Sequence, residues 1–310
     1  MPTKQSNLRL FLISALHESG GGFLHRLLDG HPSLKVYPFE MQLGTNESVN
    51  GLRGYCFKPQ YRWPKFIKDQ KNFNSLHRSI IDREVKWYLK QRSMSKFASF
   101  NLQISHADWI KDFRKRLSHK KDRISRASIV EAYLLSFFAN WKNRSASKTE
   151  KAVAGHCPIV LFDTEEIFHD FPKAKIVHII RHPVSTYLDT KLRLKGLSAE
   201  EFCLIWNLCA LISFYYQTKF PDQFLVVRYE NLTANKKKTL KSICDFFEIP
   251  FSQKVLQLSW NNSKLETIKP FGGVPIVTSQ YNSSIRRQAA KKVKDKIEFL
   301  TTSSRSLYNY

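Results

Sequence analysis

Glycine is scarce in this chain, 11 of 310 residues, and methionine is scarcer at 3. The five cysteines, Cys56, Cys157, Cys203, Cys209 and Cys244, show neither CxxC spacing nor an even count. That argues against a disulfide framework or a zinc site and for buried, reduced thiols. No apolar run reaches the roughly 18 residues needed to cross a bilayer. The first apolar stretch, Leu8 to Leu16, runs straight into a glycine cluster instead of forming a secretory signal. These absences predict a cytoplasmic protein without a transmembrane segment. Acidic residues are also few: 26 Asp and Glu stand against 50 Lys and Arg, a net charge of +24.

The positive charge is concentrated. Residues 51–150 hold 23 Lys or Arg and 8 Asp or Glu, so 23 − 8 = +15 of the total lies there. Such a field attracts nucleic acid, anionic lipid, acidic polymers or phosphorylated small molecules without choosing among them, and a solvated basic surface is the plainer reading. Within it Tyr55, Phe57, Lys58, Tyr61, Arg62, Trp63, Lys65 and Phe66 interleave aromatics with bases. That pattern suits single-stranded nucleic acid, and equally a loop folded over an active site. No nucleic-acid-binding module accompanies it, so nucleic acid is not the expected partner.

Three of the few glycines stand together, as Gly20, Gly21 and Gly22, between an apolar run (Leu8 to Ala15) and the helical spacing Phe23, Leu24, Leu27, Leu28. Strand, tight turn and helix in that order bring backbone N–H groups and a helix N-terminus onto one point, which suits an anion. Neither Gly-x4-Gly-Lys-Ser/Thr nor GxGxxG is present, so the loop fits neither a nucleoside-triphosphate P-loop nor a dinucleotide fingerprint. A merely tight turn is the plainer alternative.

Lys35 to Phe39 predicts a second strand; 76–92, 104–118 and 125–142 predict three amphipathic helices. Further strands are expected at Ala152 to Gly155, Ala174 to Ile180 and Phe224 to Val227. Helices are expected at Pro158 to Phe171, from Pro183, at Ala199 to Phe220, Asn235 to Phe247 and Ile285 to Leu300, with a Gly- and Ser-rich tail at Thr267 to Ser284. Alternation of this kind gives a parallel sheet flanked by helices, in one domain over 1–310 with 51–150 as a basic, mainly helical insertion. Ligands of such sheets bind at the carboxyl ends of the strands, where Gly20 to Gly22, Arg181 and Tyr229 fall.

Arg181 follows a buried strand and precedes His-Pro and a helix, a position from which it can fork onto a phosphate; Arg193 lies further along that helix. The glycine loop, His31-Pro32, Phe171-Pro172-x-Ala174-Lys175, Ile179-Ile180-Arg181-His182-Pro183 and Arg228-Tyr229-Glu230-Asn231-Leu232 together resemble the sulfotransferase family that uses 3′-phosphoadenosine 5′-phosphosulfate (PAPS). The likeness covers about 8–45 and 150–285. It implies a P-loop-like sulfotransferase fold, PAPS as co-substrate without a metal, and sulfuryl transfer to a hydroxyl or amine of a carbohydrate, lipid, peptide or small metabolite. It also implies that Glu18, Ser19, Gly20, Gly21, Gly22 and Phe23 lie at the 5′-phosphosulfate, and Arg181, Asp189 and Arg193 at the 3′-phosphate. Tyr229 would lie beside the nucleotide, and Gly272 and Gly273 in a loop closing over it. Glu40 falls where the tyrosylprotein branch keeps its catalytic base, and His17 could donate to a phosphate.

The sequence also departs from that pattern. Glu18 stands where a basic residue is usual, Gly21-Gly22 where hydroxyls are, Asp189 where a serine is, and His156-Cys157-Pro158 in place of a Lys-bearing segment. A second reading follows from these departures: a family member that keeps the fold, has lost catalysis and binds an anionic partner through its basic segment.

Overall fold

The computed structural model describes residues 5–44, 61–64, 80–81, 101–118, 124–265 and 279–310. The helix expected at 76–92 and the loop at Gly272 and Gly273 lie essentially outside them.

Five strands, β1 (Leu10–Ala15), β2 (Leu34–Glu40), β3 (Ala152–His156), β4 (Lys175–Ile180) and β5 (Phe224–Arg228), form one sheet in the order β2-β3-β1-β4-β5. Every pairing in it is parallel. β1 is central and all six of its residues are buried, as a strand covered on both faces must be. Its side chains alternate: Leu10 and Leu12 join one core cluster, Phe11, Ile13 and Ala15 the other.

The second cluster is closed by α1 (Gly21–Leu28), α7 (Tyr229–Ala234) and α8 (Lys236–Phe246), through Leu24, Leu27, Leu28, Leu232, Leu240 and Ile243. The first is closed by α2 (His106–Ser118), α3 (Arg126–Asn140), α4 (Thr164–Asp170), α5 (Pro183–Arg193) and α6 (Ala199–Lys219). In α3, Tyr133 and Phe137 pack against Tyr37 of β2, and the two tyrosine hydroxyls share a hydrogen bond of 2.7 Å. Each large side chain so buried contributes about 1.5–3 kcal/mol, so the described helices of the basic stretch are built into the sheet's own core. Ser125 starts α3 and Ser198 starts α6, each with a reciprocal capping box.

The structure corrects two expectations of continuous helix. Between Pro158 and Phe171 the chain forms a 3₁₀ turn, Val160–Asp163, before α4 begins at Thr164. The Pro158 carbonyl accepts from Ala15 N (2.7 Å) and Ser14 Oγ (3.1 Å), so the sheet holds it outside any helical ladder. The expected 285–300 helix is two, α9 (Ser279–Gln288) and α10 (Lys291–Leu300), because Ala290 is extended at ψ 130°. The last residues of the predicted Ser-rich tail are therefore helical. A short helix, α11 (Thr302–Ser306), follows.

Cys157, Cys203, Cys209 and Cys244 are buried free thiols. Burial pushes Cys203 up to about 12 and Cys244 to about 11, which leaves both poor nucleophiles at neutral pH. Among the described residues no helix is long and apolar enough to cross a membrane.

Candidate functional site

Parallel pairing brings the carboxyl ends of all five strands to one edge, and most of the predicted site residues gather there. The chain leaves β1 at Ala15, turns through His17, Glu18 and Ser19, and enters α1 at Gly20. Gly20 is the N-cap of α1 with φ 102° and supplies no side chain to the helix N-terminus. A Cβ on Gly20 would fall within the Tyr229 ring, and one on Gly21 would meet His156 Nε2 and the Ala15 Cβ; at Gly22 the space is open. Two of the three glycines are thus required by close approach, and Gly20 by its backbone conformation as well. The amides at the start of α1 and the helix dipole together favour an anion at this turn.

Arg181, directly after β4, ties the loop to the rest of the edge. Its Nη1 donates to the Glu18 carbonyl at 2.7 Å and to Asp189 Oδ2 at 2.6 Å, and its guanidinium lies 5.2 Å from the centre of the Tyr229 ring. Glu18 itself is left-handed at φ 58°, a conformation that costs a non-glycine residue about 1–2 kcal/mol. The departure at Glu18 is therefore a backbone feature as well as a charge: its carbonyl is what meets Arg181. Asp189, in α5, is buried and accepts a second hydrogen bond, 2.8 Å, from the Tyr281 hydroxyl of α9. Burial, and then this bond to Asp189, push the Tyr281 phenol up to about 12. Burial likewise raises Tyr229 above the ordinary phenol range. Arg193 is the last residue of α5, four residues beyond Asp189.

A second group forms at the other side of the loop. Glu40 ends β2 and is paired in register with His156, the last residue of β3. Tyr61 donates to Glu40 Oε2 at 2.9 Å, and its ring meets that of His17 edge-on at 6.2 Å. Tyr61 is held from below, since Cys157 Sγ donates to its carbonyl. The neighbouring Arg62 forks onto Asp163, and Trp63 Nε1 donates to Asp170. Residues 61–64 are thus anchored from Glu40 at the carboxyl end of β2 to Asp163 and Asp170. Phe23 packs edge-on against Tyr229 and carries Lys236 Nζ 5.9 Å from its ring centre, which brings a cation from α8 close to the loop.

Tyr281 and Lys236 were not singled out from the sequence and have no local signature. His156 was visible only as part of the segment that replaces the lysine-bearing one, and Tyr61 only within the aromatic and basic stretch that suits a loop folded over an active site.

A strand–glycine loop–helix at the centre of a parallel sheet, faced by an arginine from the neighbouring strand, defines an α/β protein whose crevice is shaped for an anionic group. The chain belongs to the Sulfotransferase family, whose profile matches residues 11–253, and it is a sulfuryl-transferring enzyme. Its fold is similar to the sulfotransferase domain of the Synechococcus PCC 7002 olefin synthase, at 19% identity and TM-score 0.56 over 100% of this chain and 97% of that one. It is also similar to the sulfotransferase domain of the curacin biosynthetic pathway, at 14% identity and TM-score 0.52 over 99% of each chain. No curated protein sequence matches the chain.

Proposed function

We propose that the enzyme moves a sulfuryl group from PAPS to a hydroxyl or amine of a carbohydrate, lipid, peptide or small metabolite, in a cytoplasmic setting. The observation that carries this reading is the linkage of the glycine loop to Arg181 and Tyr229, through the Glu18 carbonyl on one side and ring contact on the other. It joins two anion-binding elements in one crevice, as a donor charged at both ends requires. In this reading Ser19 to Phe23 hold the 5′-phosphosulfate, with the N–H groups opening α1 and Lys236 supplying positive character that the loop's own side chains lack. Arg181 and Arg193 face the ribose 3′ position, with Tyr229 beside the nucleotide.

Glu40 takes the proton of the acceptor group as its oxygen or nitrogen attacks sulfur, and the bond from sulfur to the bridging oxygen breaks in line. The amides of α1 stabilise the charge that develops on the departing phosphate. Tyr61 holds the Glu40 carboxylate in place, and His156, its register partner, is the neighbouring group able to relay a proton. Residues 51–150, read as an insertion within a single domain, bring basic charge to acceptor selection.

Calorimetry with adenosine 3′,5′-bisphosphate, the product nucleotide, tests the reading most directly. Saturable binding with one site is expected. Absence of heat at millimolar nucleotide would sink it, since this product is left by every transfer from PAPS.

A further inference from the structure

Arg181 is buried, only 2% exposed, and a guanidinium so placed requires a counter-charge. The chain supplies one. Asp189, 7% exposed, accepts from Arg181 Nη1 at 2.6 Å with one carboxylate oxygen and from the Tyr281 hydroxyl at 2.8 Å with the other. The same Arg181 nitrogen meets the Glu18 carbonyl, and Tyr229 covers the guanidinium face. Arg181 therefore enters any ligand complex with its charge already balanced by a carboxylate fixed from α5 and latched from α9.

We propose that Asp189 is the donor-specificity determinant of this site: it makes the pocket accept a nucleotide with a free ribose 3′-hydroxyl at least as well as one with a 3′-phosphate. The inference rests on the nucleotide reading above and refines it at the sugar end. A phosphate brought to Arg181 must approach the Asp189 carboxylate, and like charges repel far more strongly in a buried pocket than in water. A hydroxyl meets the opposite situation. An ionised carboxylate has about four lone-pair sites, so Asp189 can accept from a sugar hydroxyl while keeping Arg181 and Tyr281. Dinucleotide-binding folds use the same chemistry, with an acidic residue taking the ribose hydroxyl and an arginine accommodating a phosphate. Here the arginine is present, but its charge is spent internally. Tyr281 adds to the selectivity, because displacing the carboxylate from Arg181 also disturbs its contact with α9.

The test is calorimetric titration of the full chain and of Asp189→Ser, Asp189→Asn and Tyr281→Phe with adenosine 5′-monophosphate and adenosine 3′,5′-bisphosphate. The unaltered protein is expected to bind the two within about threefold of each other, and each Asp189 variant to tighten the bisphosphate about tenfold or more relative to the monophosphate. Tyr281→Phe, which leaves the Arg181–Asp189 pair intact, is expected to shift the ratio the same way by a smaller factor, and it carries the test should the Asp189 variants fail to fold. A native preference for the bisphosphate near a hundredfold, or a ratio unmoved in all folded variants, overturns the inference and leaves the nucleotide site standing. If neither nucleotide binds the unaltered protein, both readings fall.

Discussion

The guanidinium of Arg181 lies 2.7 Å from the carbonyl oxygen of Glu18, so the residue that ends one strand holds the loop that ends its neighbour. Arg181 thus acts on both ends of the proposed donor site. Arg181→Ala is expected to weaken adenosine 5′-monophosphate and adenosine 3′,5′-bisphosphate alike, by about 1.5–3 kcal/mol, the range for a hydrogen bond to a charged group. Arg181→Lys should recover little, since an ammonium lacks the planar face that lies over the Tyr229 ring. A loss confined to the bisphosphate, measured by calorimetry, would show that the loop keeps its shape without Arg181.

The three glycines should respond differently to alanine. Gly20→Ala combines a left-handed backbone with a clash against Tyr229, and a loss of about 2 kcal/mol or more is expected in denaturant unfolding. Gly22→Ala meets open space inside α1 and should fall within about 0.5 kcal/mol of the unaltered protein. Equal losses at both positions would mean that the contact with Tyr229 is not what fixes the turn.

Glu40→Gln should reduce sulfuryl transfer by roughly a hundred- to ten-thousandfold while leaving nucleotide affinity within about twofold, as expected for loss of a general base. A panel of phenolic, sugar and amine acceptors with labelled PAPS provides the readout. If Glu40→Gln retains activity and His156→Asn abolishes it, the base is the other member of the register pair.

Two buried histidines give the fold an acid-side dependence. Burial lowers His178 to about 3, and burial with nearby Arg286, Arg305, Lys294 and Arg181 lowers His182 to about 3. Both bind protons more readily unfolded, at about 6.5, so the unfolded state takes up protons first as pH falls. Their stabilising effect is complete above that value and is lost progressively between about 6.5 and 3, at roughly 1.4 kcal/mol per pH unit for each. His182→Asn, which keeps an acceptor for the Val184 N–H at the start of α5, should remove about half of that slope in denaturant midpoints measured from pH 4 to 7. An unchanged slope would place the titration elsewhere.

Much of the fold was legible because local signals and burial agree. β4 lies between Pro172 and Pro183 and is apolar apart from Lys175 and His178; β1 ends four residues short of the glycines. Arg181, Tyr229 and the glycine loop could be placed together because parallel strands end on one edge. What stayed hidden depends on distant contacts. Nothing near Pro158 shows that Ser14 and Ala15 claim its carbonyl, or that Ala290, in a stretch of good helix formers, turns the chain. The charge of Asp189 was visible, and its effect on a phosphate could be stated, but its pairing with Arg181 and Tyr281 needed α5 and α9 in place.

The central place of β1 also has a consequence for synthesis. Leu10–Ala15 is made first among the strands, yet its two neighbours begin only at Ala152 and Lys175. At ~5–20 residues per second, a segment apolar on both faces waits on the order of ten seconds before either flank is hydrogen-bonded. A chain arrested near residue 140 leaves this hexapeptide without either partner strand and is expected to crosslink to holding chaperones through it. The enzyme's sheet closes outward from its oldest strand, beginning only once Ala152 has been made.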